Sequence, residues 1–193
     1  MNILLLGAGW KEVMCLFKDR DEDIMKWEER IDRTFVRDFG VDFIISYRYR
    51  HIIKPEIIAM LPKKIINLHI SYLPWNRGAD PNLWSYLDDT PKGVTIHYVD
   101  EGIDTGDIIV QEQLEEITDP CETLRTTYKR LNERIVKLLD ENLDSILDGT
   151  HSSYPQAGEG TYHKAIDASP YLPALTNGWD TRVMDIWHRG WGE

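Results

Sequence analysis

Apolar and polar positions alternate along this chain in a way that lays out most of its elements. An apolar run from Asn2 closes in Gly7-Ala8-Gly9 and passes into Glu12-Val13-Met14-Cys15-Leu16-Phe17, the pattern of a buried strand, a glycine turn and a helix. Val41 to Tyr47 reads as a second buried strand, Lys54 to Leu61 as a short helix with Pro55 in its first turn, and Lys64 to Ile70 as a third strand. Pro81 to Tyr86 begins another helix. Gly93 to Val99 alternates as a strand does and leads through an acidic loop to Ile108-Ile109-Val110, so the two make a hairpin at a sheet edge. From Glu122 to Leu147 the apolar Leu124, Tyr128, Leu131, Ile135, Leu138, Leu139, Leu143, Ile146 and Leu147 recur with helical period, predicting one long amphipathic helix. Residues 18–40 are dense in charge, and Met25, Trp27, Ile31, Phe35 and Val36 fall at loosely helical spacing, which predicts a single helix with at most one interruption.

Strands separated by helices predict an α/β fold of Rossmann-like character: a mostly parallel twisted sheet, an antiparallel hairpin at one edge, and flanking helices. In such sheets ligands gather at the carboxyl ends of the strands. No repeat, low-complexity tract or linker divides the chain. The expected organisation is a catalytic domain over 1–150 and an extension over 151–193. Trp179, Trp187 and Trp191 of that extension suit burial against the core or a partner subunit, as in a homodimer.

Composition narrows the function. A chain of 193 residues can bury one sizeable core, and 33 acidic against 22 basic residues leave a net charge of -11. That field repels phosphate backbones, so no nucleic-acid partner is expected. A small anion can still be held by a local cluster such as Arg48, Arg50, His51 and Lys54, because salt screens distant acids beyond roughly 8 to 10 Å. Cys15 and Cys121 lie far apart without a C-x-x-C partner, and two buried free thiols are expected. The first apolar run is too short to be a membrane anchor and lacks a basic region before it, so a cytoplasmic protein is expected.

Two stretches carry candidate chemistry. In a strand, residues i and i+2 share a face, so Asn67, His69 and Ser71 point one way while Ile66, Leu68 and Ile70 point the other. An amide beside an imidazole at the carboxyl end of a buried strand is either a polar pair satisfied by backbone or part of a site, and the polar loop that follows favours the site. The second stretch, Asp100-Glu101-Gly102-Ile103-Asp104-Thr105-Gly106-Asp107, lacks the ligand spacing of a calcium loop, and no metal is expected. Its glycines allow a loop that offers backbone groups to a flat heterocycle while aiming Asp104 toward His69. An amide and an imidazolium can donate to the oxygen that gains charge in acyl transfer to an amine, and a carboxylate can hold the imidazole and relay a proton. The Gly-x-Gly turn at residues 7–9 is a weak nucleotide signal, because Glu12 stands where a dinucleotide fingerprint wants a small residue.

Asn67-Leu68-His69, the Leu73-Pro74 that follows, and Asp100 through Ile108 resemble the folate-dependent formyltransferases, which include glycinamide ribonucleotide and methionyl-tRNA formyltransferases. The resemblance runs from about Val41 to Gln113. Within it, the run from His69 to Asn82 is most similar to enzymes that formylate amino-deoxy sugars on nucleoside diphosphates, and Gly160-Thr161-Tyr162-His163 resembles the segment after their core. The resemblance implies a formyltransferase fold with a shortened N-terminal half, in which Asn67, His69 and Asp104 are the catalytic triad. It implies 10-formyltetrahydrofolate as formyl donor, its pterin held by Arg50, His51, Ile53, Val99, Asp100, Gly102 and Ile103. It implies that Trp75, Asn76, Arg77, Asp80 and Asn82 meet a small-molecule amine, with Trp75 stacking on a sugar or base and Arg77 meeting phosphate. Tyr98 and Trp84 are expected in the core. Glycinamide ribonucleotide as acceptor, hydrolysis of the formyl donor, and an inactive binding module are the alternatives. Arg48 stands where relatives often have glycine, a departure that bears on the acceptor.

Overall fold

A computed structural model of the chain describes residues 1–115 and 119–187, without the side chain of Trp187; Trp191 lies outside the described residues. The strands β1 (Asn2–Leu6), β2 (Asp23–Trp27), β3 (Phe43–Tyr47), β4 (Ile65–His69), β6 (Gly93–Tyr98) and β7 (Ile108–Gln113) form one sheet in the order β2-β1-β3-β4-β6-β7, while β5 (Arg77–Gly78) pairs with β8 (Tyr162–His163). The helices are α1 (Trp10–Met14), α2 (Arg33–Asp38), α3 (Pro55–Ile58), α4 (Pro81–Leu87), α5 (Leu124–Asp148) and α6 (Val183–Trp187). The pairs β1–β2, β1–β3 and β3–β4 are parallel. In the hairpin, Tyr98 N–H donates to Asp107 O and Leu114 N–H to Lys92 O, each at 2.9 Å, so rising numbers on β6 meet falling numbers on β7 and the pair is antiparallel.

The single helix expected over 18–40 is instead a strand followed by a helix. Among the described residues, β2 is an edge strand paired only with β1, and no residue of it is fully buried. An edge strand carries charge and shows little alternation, which is why Asp23 and Lys26 hid it. α2 then starts at Asp32, whose carboxylate accepts from Phe35 N–H at 2.8 Å. The long helix is present as expected, with Leu124, Leu131, Ile135, Leu138, Leu139, Leu143, Ile146 and Leu147 buried, although Tyr128 is exposed. The expectation of buried thiols fails, because both cysteines are exposed. Cys15 follows α1 and points its thiol at Glu12 O, while Cys121 sits in the turn before α5. Tyr98 is half-buried rather than core, and Trp84 is buried.

The chain forms two compact units that interleave in sequence. One comprises Met1–His69, Ile96–Val110 and Val136–Pro155, and the other Ile70–Thr95, Gln111–Ile135 and Gln156–Glu193. The first is built on Leu4, Leu6, Ile44 and Ile65 of the sheet, covered by Val36 of α2 and Ile57 of α3. The second packs Leu83, Trp84 and Tyr86 of α4 with Leu124, Leu175, and Val183 and Ile186 of α6. Among the described residues, no helix is long and apolar enough to cross a membrane.

Candidate active site

β4 lies between β3 and β6, and its Ile66 and Leu68 are buried. The opposite face carries Asn67, half-buried, and His69, buried at the strand's carboxyl end. β6 brings His97 alongside them: it is 2% exposed, its Nε2 is 3.3 Å from Asn67 Nδ2, and its ring stands edge-on to His69 with centroids 6.3 Å apart. His97 Nδ1 lies 2.7 Å from the carbonyl oxygen of Tyr98.

The acidic loop supplies the carboxylate. Asp104 adopts φ 53°, and the loop around it is tied by Asp100, whose Oδ1 accepts from Gly102 N–H at 3.1 Å and Thr105 Oγ1 at 2.6 Å. Gly106 lets the loop close against β6, since a Cβ there would lie 1.9 Å from Tyr98 O. Asp104 Oδ1 accepts from Asn67 Nδ2 at 3.0 Å and stands 3.4 Å from His97 Nε2, while Oδ2 stands 3.6 Å from His69 Nδ1. One largely buried carboxylate thus faces an amide and two imidazoles. With Nδ1 of His69 turned to this carboxylate, an N–H there can be held by Asp104, which orients the ring. Sequence reasoning missed His97; the signal was a lone imidazole on the Thr95 face of an otherwise apolar strand, and its meaning needed the pairing of β6 beside β4.

The sequence model of the formyl transferase family matches residues 20–143. The chain belongs to that family. It is 47% identical to the formyltransferase PseJ of Anoxybacillus kamchatkensis, whose structure is a complex with UDP-4,6-dideoxy-4-formamido-L-AltNAc and tetrahydrofolate; the match covers 96% of this chain and 97% of that one, with a TM-score of 0.91. A 4-N formyltransferase of Francisella tularensis shares the fold at TM-score 0.76, with 22% identity over 89% of this chain and 79% of that one. Methionyl-tRNA formyltransferase of Agathobacter rectalis is 34% identical over 143 residues, 74% of this chain and 46% of that protein. The chain thus spans about half the length of the curated relatives it matches.

In this member of the formyl transferase family, the two segments expected to hold a pterin pack into one apolar cluster, through buried Ile53 and partly buried Val99. Ile52 is 71% exposed and Ile103 41% exposed, leaving apolar surface on both segments. Arg50 and Gly102 are exposed, and half-buried His51 meets the Tyr49 ring edge-on. The Gly7 turn has a packing reason, with φ 102° and a Cβ that would strike Tyr47 O at 2.5 Å. Arg48, at φ 55°, pairs with Glu12 and lies over the Tyr47 ring, 4.9 Å from its centroid.

The residues expected at the amine fall into two groups. Asn76 is fully buried, donating to Thr90 Oγ1 at 2.7 Å and accepting from Thr161 Oγ1 at 3.1 Å. Asn82 is buried too, donating to Leu124 O at 2.9 Å and accepting from Thr127 Oγ1 at 3.1 Å. Both amides are satisfied inside the protein and act as internal ties. Arg77 grips the segment after α5 through Gln156 Oε1, at 3.1 and 2.8 Å, and Glu159 O at 3.2 Å. Trp75 is half-buried, and Asp80 stands in the left-handed region, φ 50°, at the head of α4, where desolvation raises its carboxyl above the ordinary range. His163 of β8 stacks on Trp84, centroids 3.7 Å apart and planes at 4°, and meets Asp88 Oδ2 at 2.7 Å.

Proposed function

We propose that the chain transfers the formyl group of 10-formyltetrahydrofolate to the primary amine of a nucleoside-diphosphate-linked amino-deoxy sugar. The observation that carries this reading is the 47% identity, over nearly the whole of both chains, to PseJ, which is seen with a UDP-linked formamido sugar and tetrahydrofolate. The site supports it. His69 and Asn67 are hydrogen-bond donors on one strand face, suited to the formyl oxygen as it gains negative charge. Asp104 holds His69 and takes the proton that the attacking amine must lose.

Folate, which supplies the one-carbon unit, is held by Arg50, His51, Ile53, Val99, Asp100, Gly102 and Ile103. The apolar surface of Ile52 and Ile103 and the backbone groups of the Asp100–Asp104 loop fit a flat, hydrogen-bonding ring. Trp75 and Asp80 meet the acceptor, Asn76 and Arg77 fix the loop that presents them, and Asn82 ties α4 to Leu124 and Thr127 of α5. A net charge of -11 disfavours tRNA as the acceptor. The enzyme works in the cytoplasm, and the exposed Ile166, Leu172 and Trp179 suit pairing with a second copy, which size-exclusion chromatography with light scattering tests by returning twice the chain mass.

The acceptor is found by incubating the protein with 10-formyltetrahydrofolate and UDP- and dTDP-linked amino sugars, with glycinamide ribonucleotide as control. A 28-dalton gain, about the mass of one formyl group replacing hydrogen, on a sugar nucleotide alone is the expected outcome. Formylation of glycinamide ribonucleotide alone would replace the acceptor class.

A further inference from the structure

We infer that His97 is a positioning residue that locks the Asn67 side-chain amide with its NH2 group turned toward Asp104. The inference rests on the formyl-transfer reading above, in which Asn67 must present an N–H to the formyl oxygen.

The Tyr98 carbonyl oxygen can only accept, so His97 Nδ1, 2.7 Å away, carries a proton, and in the tautomer with that single proton Nε2 carries a lone pair. That lone pair faces Asn67 Nδ2 at 3.3 Å, and Asp104 Oδ1 faces the same nitrogen at 3.0 Å. Both neighbours accept. The flipped amide would set its oxygen against a carboxylate and a ring lone pair, so the network itself assigns which end of Asn67 points inward.

The third side of the triangle, Nε2 to Oδ1, is 3.4 Å. Seen from Nδ2, nearly equal sides set the two acceptors about 60° apart, against about 120° between the two N–H bonds of an amide. One N–H is therefore shared between them, and the other points away from both, toward where an oxyanion can use it.

Asp104 alone cannot maintain this orientation through a turnover. Once it takes up the amine's proton it becomes a possible donor, and a flipped Asn67 would then be tolerated. His97 keeps an acceptor in place, because its own proton is committed to a backbone carbonyl and the ring is only 2% exposed, out of reach of competing water.

The direct test reads the tautomer in the wild-type protein by long-range 15N–1H NMR of the histidine rings. A protonated Nδ1 and an unprotonated Nε2 at His97 are expected, and the opposite tautomer or a doubly protonated ring would overturn the inference. Two variants add a kinetic test. His97→Gln can place its amide oxygen where Nε2 stands, and is expected to keep kcat within about threefold; His97→Leu offers no acceptor and is expected to lose about tenfold or more in kcat with little change in KM for folate. Equal losses in the two variants, or a full-rate His97→Leu, would overturn it. A wild-type protein that formylates no acceptor overturns the parent reading instead, and the two failures are told apart because the tautomer is read without turnover.

Discussion

Asp104 is where the site's polar groups converge, and the consequence of removing its charge follows from its contacts. Its two oxygens face Asn67, His97 and His69 from a left-handed position that the Asp100 loop holds in place. Asp104→Asn keeps the size and removes the proton acceptor, and His69→Ala removes a donor to the developing charge. Each is expected to cut turnover by about a hundredfold or more while leaving the thermal transition in place, which paired turnover and melting measurements check. Asn82→Ala should do the reverse. It abandons Leu124 O and Thr127 Oγ1 in a buried setting, so denaturant unfolding is expected to show a loss of about 1–3 kcal/mol while the folded fraction turns over normally. These opposite outcomes separate residues that the sequence alone places together at the site. Asn67 and His69 were legible because strand periodicity alone puts them on one face; Asn76 and Asn82 were not, because their partners Thr90, Thr161, Leu124 and Thr127 lie 14 to 85 positions away.

Among the elements, those whose apolar period is continuous were read correctly, and β2 was not. Its pairing with β1 sets Asn2 against Asp23 and Leu6 against Trp27, yet among the described residues only one edge of it is bonded, and a half-solvated strand carries too few apolar residues to declare its period. The turn before β2 is instead fastened by charge. Arg20 binds Glu22 through two contacts of 3.1 Å and reaches Asp144 of α5 at 2.6 Å. The Arg20 side-chain hydrogen bonds hold the Glu22 carboxyl below its ordinary range. A depressed carboxyl pKa contributes stability that is present above the ordinary carboxylate value and is lost as pH falls through the lowered one. Glu22→Gln is therefore expected to melt below the wild type near pH 7, with the gap closing toward about pH 3; a gap that stays constant with pH would contradict the assignment.

At the scale of the whole molecule, the fold class and the family were legible while the division into units was not. Two compact units share β6, β7 and α5 by sequence, an interleaving that no linker or change in composition announces. The segment from Gln156 onward belongs to the second unit together with Ile70–Thr95 and Gln111–Ile135. The catalytic candidates Asn67, His69 and Asp104, and His97 beside them, all fall in the first. Where the formyl group goes is followed most directly by one measurement. With donor carrying a 13C-labelled formyl group and the UDP-linked amino sugar, label should appear in a sugar formamide, one for each tetrahydrofolate released, and His69→Ala should abolish the signal. Label recovered as formate without acceptor, or left in the donor by the wild-type protein, would contradict the account.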